Sequence, residues 1–175
     1  MSKTLIAVAT VCLTSTPVYA DKVDLAVEAF HRTCLAHGPD FERTVATAVR
    51  LGWSPLSGKP SAPVLPADGV DAFQRWLTNG NDMPVKTMIA VAKATLKGKA
   101  VQTCSIMLFD IDRAAFEERF FARTDAVKIG EDRIGAQVSK LYILIADNRK
   151  QLVHLTFPRS RITSNTIIAS SIAED

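Results

Sequence analysis

Cysteines and aromatic residues are scarce in this chain: three Cys, and 7% Phe, Trp and Tyr among 175 residues. Three thiols cannot build a disulfide-framed miniature scaffold, and a chain of ~150 residues does not need one to bury a core. Charge of one sign is missing too. The formal net charge is +3, and the pI of 8.8 reflects a small excess of basic over acidic residues rather than a basic domain. Lys and Arg are interspersed with acids, and the short pair Arg149-Lys150 reads as a turn. A basic stripe interleaved with stacking aromatics is therefore absent, and no nucleic-acid partner is expected. Beyond Ala20 no apolar run reaches the ~18 residues a membrane-spanning helix requires, so no stable membrane insertion is expected there.

Recognisable catalytic signatures are lacking as well. There is no Gly-X-Ser-X-Gly elbow and no phosphate-cradling Gly-rich loop. Asp110-Ile111-Asp112 begins like a calcium loop, but no Gly follows at the sixth position and the segment turns helical. Glu117 and Glu118 are adjacent, so on a helix they diverge and cannot flank one substrate. Glu131-Asp132-Arg133 reads as a solvated charged loop. The sequence assigns no catalytic residue, no cofactor and no metal ligand.

What is present begins with a leader. Met1-Ser2-Lys3 supplies a positive start, Thr4 to Thr14 an uncharged apolar run, and Val18-Tyr19-Ala20 small residues at the two positions a signal peptidase inspects. The expectation is a signal peptide over 1–20, cleavage between Ala20 and Asp21, and a mature domain over 21–175 working in the periplasm or outside the cell. A lipoprotein would need a small residue before its cysteine, whereas Cys12 follows Val11 inside the apolar run. An uncleaved anchor would need a longer span. Cleavage removes Cys12 and leaves Cys34 and Cys104 where thiols pair.

Behind the leader, Val23, Val27, Phe30 and Cys34 recur at helical spacing until Gly38-Pro39 stops them. Asp40 stands where an N-cap belongs, and Phe41, Val45, Ala48 and Val49 mark the inner face of a second helix ended by Gly52. These two form an expected helical hairpin. Residues 53–67 carry four prolines and read as an extended loop pinned by Trp53 and Leu56. A short helix over 68–77 would bury Phe73, Trp76 and Leu77.

After Pro84 the texture changes. A strand buried on both sides, a Lys97-Gly98-Lys99 turn and a partner over 100–109 precede a helix from Arg113 to Arg123, capped by Asp110 or Asp112, with Phe116, Phe120 and Phe121 inward. Strands follow at Leu141–Ile145, Leu152–Phe157 and within 162–172, with an additional edge strand over 126–129. The expected fold is α+β: the hairpin packed on an antiparallel sheet of about five strands, in a ββ-α-βββ order similar to profilin-like or PAS-like sheets.

Cys34 on the inner helical face and Cys104 in mid-strand make a disulfide the expected covalent link. It would close a loop of about 70 residues, for which chain entropy gives roughly 4 kcal/mol as an upper guide. A redox role is disfavoured, because such pairs sit close together at helix starts. His31 and His37 bracket Cys34 at three-residue spacings but lack the further ligands of a zinc site. His154 stands alone in a strand. These three histidines and Trp53 are the candidates for a functional surface.

Phe30-X3-Cys34, Gly38-Pro39-Asp40-Phe41 and Gly52-Trp53 together resemble the N-terminal part of small exported bacterial proteins of unassigned function. The resemblance implies an envelope location and a conventional disulfide. It carries no active site across. The expected function is a small periplasmic or secreted binding or interaction module without catalysis of its own, whose partner is an envelope protein or a small ligand. The alternatives are a hydrolase-like envelope enzyme with a non-local site and an inhibitor- or immunity-type partner.

Overall fold

A computed structural model describes residues 22–58, 69–78, 83, 87–159 and 166–175. The leader, its cleavage point Ala20-Asp21 and residues 59–68 of the Pro-rich segment lie outside the described residues. Helices α1 (Lys22–Phe30), α2 (Phe41–Arg50) and α3 (Arg113–Arg123) accompany strands β1 (Ser54–Pro55), β2 (Gly69–Leu77), β3 (Met88–Leu96), β4 (Lys99–Leu108), β5 (Val127–Ile134), β6 (Gln137–Ala146), β7 (Arg149–Pro158) and β8 (Ile167–Glu174). All eight strands join one antiparallel sheet in the order β1-β2-β3-β4-β8-β7-β6-β5.

The expected α+β hairpin on five strands is thus corrected to a mainly β fold with three short helices. The extra strands are the short β1 inside the segment read as a Pro-rich loop, β2 in the segment read as a helix, and β5, expected only as a short edge strand over 126–129. Phe73 and Trp76 are three apart and suggest a helix, but β2 contains an irregularity between Val70 and Ala72, and its ladder puts Trp76 opposite Ile89 and Phe73 opposite Ala92. Those partners point to opposite faces, so the two aromatics do as well. The charged stretch Glu131-Asp132-Arg133 lies inside β5, an edge strand with one bonded neighbour and polar side chains free to meet water.

The first two helices are also not a mutually packed hairpin. α1 runs into a π-helical turn, His31–Leu35, and packs against α3, with Phe30 and Phe120 ring centroids 6.3 Å apart. α2 lies instead on β3 and β4. Its first amide, Phe41 N, donates to Gln102 Oε1 at 2.7 Å, and Glu42 pairs with Lys93. Gly38 makes the separation possible, because its φ of +70 is the left-handed conformation that ends a helix and redirects the chain. Asp40 then caps α2 by accepting from Arg43 N at 2.8 Å, and Asp112 caps α3 by accepting from Ala115 N at 2.9 Å. Val49 and Phe121, both expected inward, are exposed by 77% and 38%; the Cβ of Val49 faces water while Thr44 and Ala48 carry the α2 contact.

The principal core lies between the helices and one face of the sheet. Ile89, Val91, Cys104, Ile106, Leu108, Tyr142, Leu144, Val153, Leu155, Phe157, Ile167 and Ala169 meet Phe30, Leu35, Phe116 and Phe120 there. Cys34 and Cys104 join the two layers, with sulfurs 1.98 Å and Cα atoms 5.3 Å apart. Gln151 makes a second tie. Fully buried, it donates from Nε2 to Leu35 O at 2.8 Å and accepts from Ser171 Oγ at 2.6 Å, so the end of the π-helical turn is held to the sheet.

Candidate functional site

Strand alternation places a second set of side chains on the face away from the helices. In the middle strands this set includes small residues, Ala90, Ala92 and Ala94 on β3, Thr103 and Ser105 on β4, and Ser170 on β8, all buried, beside an apolar cluster of Met88, Met107 and Ile168 with Phe73. Small residues permit close approach, and the sheet curls toward this face. Leu96 and Lys97, from the β3–β4 end, line the same cavity as Gly130, Glu131 and Asp132 of β5, although β3 and β5 stand third and eighth in the sheet. The face is therefore concave.

Two adjoining cavities occupy the hollow. One, of about 590 Å³, is lined by Leu96, Leu141, Leu152 and Ile172 with Ser139, His154 and the β5 acids. The other, of about 570 Å³, shares Leu96, Lys97, Leu152 and Ile172 and extends past Val101 to Lys99, Arg149, Lys150 and Glu174. Each has the size and apolar lining of a small-molecule site. Their shared residues make them two compartments of one groove.

Hairpin turns give the second compartment its basic end. Lys97-Gly98 and Asp147-Asn148 are two-residue turns with positive φ at both positions (50 and 77, 52 and 58), the geometry that suits the twist of paired strands. They set Lys97, Lys99 and Lys150 around that end. Among its described lining residues Glu174 is the single acid, and Lys99 Nζ donates to it at 2.5 Å. Asp175 turns to the helical side, where it accepts from Gln102 Nε2 at 2.6 Å. The other compartment has an acidic rim: hydrogen bonds from Lys128 and Arg133 hold the Glu131 carboxyl below its usual pKa, so it stays an anion.

His154 is the one histidine in the groove. Burial pushes its pKa below the usual 6.5, which favours the neutral ring, and its Nδ1 has no hydrogen-bond partner among the described residues. Nearby hydroxyls on this face pair with each other: Ser105 Oγ donates to Ser170 Oγ at 2.7 Å, and Ser139 Oγ lies 3.4 Å from Thr156 Oγ1. A general base is held in one tautomer by a bond on its second nitrogen. His154 Nδ1 makes no such bond among the described residues.

The remaining sequence candidates do not converge with it. His31 is half-buried in the π-helical turn on the helical side. His37 is exposed, with Nδ1 3.6 Å from Asp147. Trp53 is a core residue, packed 6.4 Å from Trp76 between ring centroids and donating its backbone N–H to Ala48 O. No group of three or more His, Cys, Asp or Glu suited to a metal exists among the described residues. No helix among them is long and apolar enough to cross a membrane.

Sequence reasoning missed the groove residues Leu96, Leu141, Leu152 and Ile172, which look like ordinary strand core. The available signal was the Ala-X-Ala-X-Ala run at 90–94 opposite Thr103 and Ser105, an unusually small face for a central sheet. A second polar cluster, under α3, is structural. Lys140 Nζ donates to Glu117 Oε2 at 2.7 Å and Tyr142 OH to Glu117 Oε1 at 2.9 Å; burial first, then this bond, pushes the phenol far above its usual 10.

Comparison of the chain with protein-family models, with curated proteins and with solved structures finds no match in any of the three.

Proposed function

We propose that this chain is an exported binding protein and that the concave face of its sheet holds a small, largely apolar ligand. The observation that carries the reading is the groove itself, two adjoining compartments of about 570 and 590 Å³ with leucine, isoleucine and valine side chains along their walls. Export is supported by the leader over 1–20 and by a cysteine pair at bonding distance, a link favoured in oxidising compartments.

The test is twofold. Expressed in a bacterium, the full chain should yield a periplasmic form beginning at Asp21; recovery of a membrane-bound form beginning at Met1 would sink the export claim. The mature form should enhance the fluorescence of the neutral apolar dye N-phenylnaphthylamine. Leu141→Arg together with Ile172→Arg, which put charge into both compartments, should abolish the enhancement while the circular dichroism spectrum is retained. Dye uptake that survives in a folded double variant places binding elsewhere.

A further inference from the structure

Three buried side-chain polar atoms have no hydrogen-bond partner among the described residues: Arg75 Nε, Thr103 Oγ1 and His154 Nδ1. All three residues belong to the face away from the helices. Arg75 stands opposite Ala90 and Thr103 opposite Ala92 in the ladder, and His154 lines the larger compartment. An unpaired polar group is costly to bury, so such groups gather where a fold is completed by a further molecule. Of the three, only His154 lines either compartment. Its surroundings there are apolar: Leu141 lies directly opposite on β6, Leu152 two residues away on β7, and Leu96 and Ile172 complete the wall. The hydroxyl lining that compartment, Ser139 Oγ, already has Thr156 as its partner. The imidazole is thus the unengaged polar group in a hydrocarbon wall.

Resting on the binding reading above, we infer that the ligand is an apolar molecule with a carbonyl oxygen, such as a ketone, ester or quinone, and that His154 donates to that oxygen from Nε2. The tautomer follows from the setting of the ring. Burial favours the neutral imidazole, which carries a single N–H. In folded proteins an orphaned buried N–H is rarer than an under-satisfied acceptor. The shut-off Nδ1 is therefore the bare nitrogen, and the proton resides on Nε2, at the edge of the ring turned to the compartment. There it donates and cannot accept. A carbonyl oxygen satisfies it, whereas a wholly hydrocarbon ligand would cover it and leave it unpaired. Leu96, Leu141, Leu152 and Ile172 receive the hydrocarbon body, whose removal from water supplies the larger part of the affinity. The single hydrogen bond supplies orientation and selectivity.

Competition against N-phenylnaphthylamine tests this with two probes of one shape, acetylnaphthalene and isopropenylnaphthalene, in which a methylene replaces the carbonyl oxygen. The ratio of ketone to alkene affinity should fall about tenfold in His154→Phe, a comparison between proteins that cancels the unequal hydration of the probes. His154→Gln, which keeps an N–H donor, should retain part of that ratio. Alkene affinity should be little changed in both variants, which doubles as the control that the groove is still folded. In the native protein, nitrogen NMR should place the His154 proton on Nε2, and the carbonyl stretch of the bound ketone should lie at lower frequency than in His154→Phe. An unchanged ratio in a folded His154→Phe, or a proton on Nδ1, overturns the inference and leaves the groove reading standing. If His154→Phe unfolds, the native nitrogen spectrum and the carbonyl stretch decide. Failure of the dye itself to bind the native protein removes the groove reading, and the two failures are told apart in the first titration.

Discussion

The two faces of the sheet are made from the same strands, yet they do different work. The face toward the helices carries large residues such as Phe157, Tyr142, Leu155 and Ile106, all fully buried, and is sealed by α1, α2, α3 and a disulfide. The opposite face carries alanine, serine and threonine in much of its middle, a smaller cluster of Ile168, Met88, Met107 and Phe73, and half-exposed Leu141, Leu152 and Leu96 at its hollow. Large side chains hold a layer at a distance and fill the space between. Small ones let the sheet bend in on itself and leave the space open. Residue size, alternating along each strand, thus seals one face beneath the helices and leaves a hollow on the other.

The sharpest way to break that contrast is to remove bulk from each face in turn. Phe120→Ala empties a site between α1, α3 and Tyr142, and should cost about 4 kcal/mol in a denaturant titration. Replacing both cysteines by serine should cost about 3 kcal/mol and leave the spectrum of the folded state intact, since the link chiefly restricts the unfolded chain. Leu141→Ser on the concave face should cost only about 1 kcal/mol, because that side chain already meets solvent. A loss as large as that of Phe120→Ala would show that the hollow is a second core rather than a binding face.

The smallest effect concerns pH. Folding lowers the His154 pKa, so on acidification the unfolded chain takes up its proton first. His154 therefore contributes stability near neutrality that is lost as pH falls from about the usual 6.5 through the lower folded value, and none of this dependence appears above it. His154→Gln should flatten the stability profile across that acidic window, measured by denaturation midpoint against pH. An unchanged slope would mean that His154 is as hydrated in the fold as in the open chain.

Much of the helical face was legible before any coordinates. Asp40 and Asp112 act as caps because a short carboxylate before an apolar run has few other uses, and Cys34 with Cys104 meet because both sit on inward positions of their elements. The β3–β4 hairpin was announced by Lys97-Gly98 between two β-rich runs. β2 was not, since Phe73, Trp76 and Leu77 satisfy a helical spacing as well as an interrupted strand. The start of β5 was expected as an edge strand over 126–129, but its continuation through Glu131-Asp132-Arg133 was hidden by its charges, which an edge strand tolerates and a central one does not. The groove was least visible of all. Leu96, Leu141, Leu152 and Ile172 come from four strands, and only the curvature of the sheet, a property of no single segment, brings them to one hollow.

The place of β8 has a consequence in time. It follows every other strand in sequence, yet it lies between β4 and β7 and joins β1–β4 to β5–β7. A chain emerging from the ribosome, or threaded through a membrane pore, can pair each of those two meanders and form its Cys34–Cys104 link while the centre of the sheet is still missing. Only when Ile167–Glu174 arrives do the halves become neighbours, and only then does the hollow acquire both its walls. Closure of the sheet therefore waits on β8, the one strand that bonds to both halves.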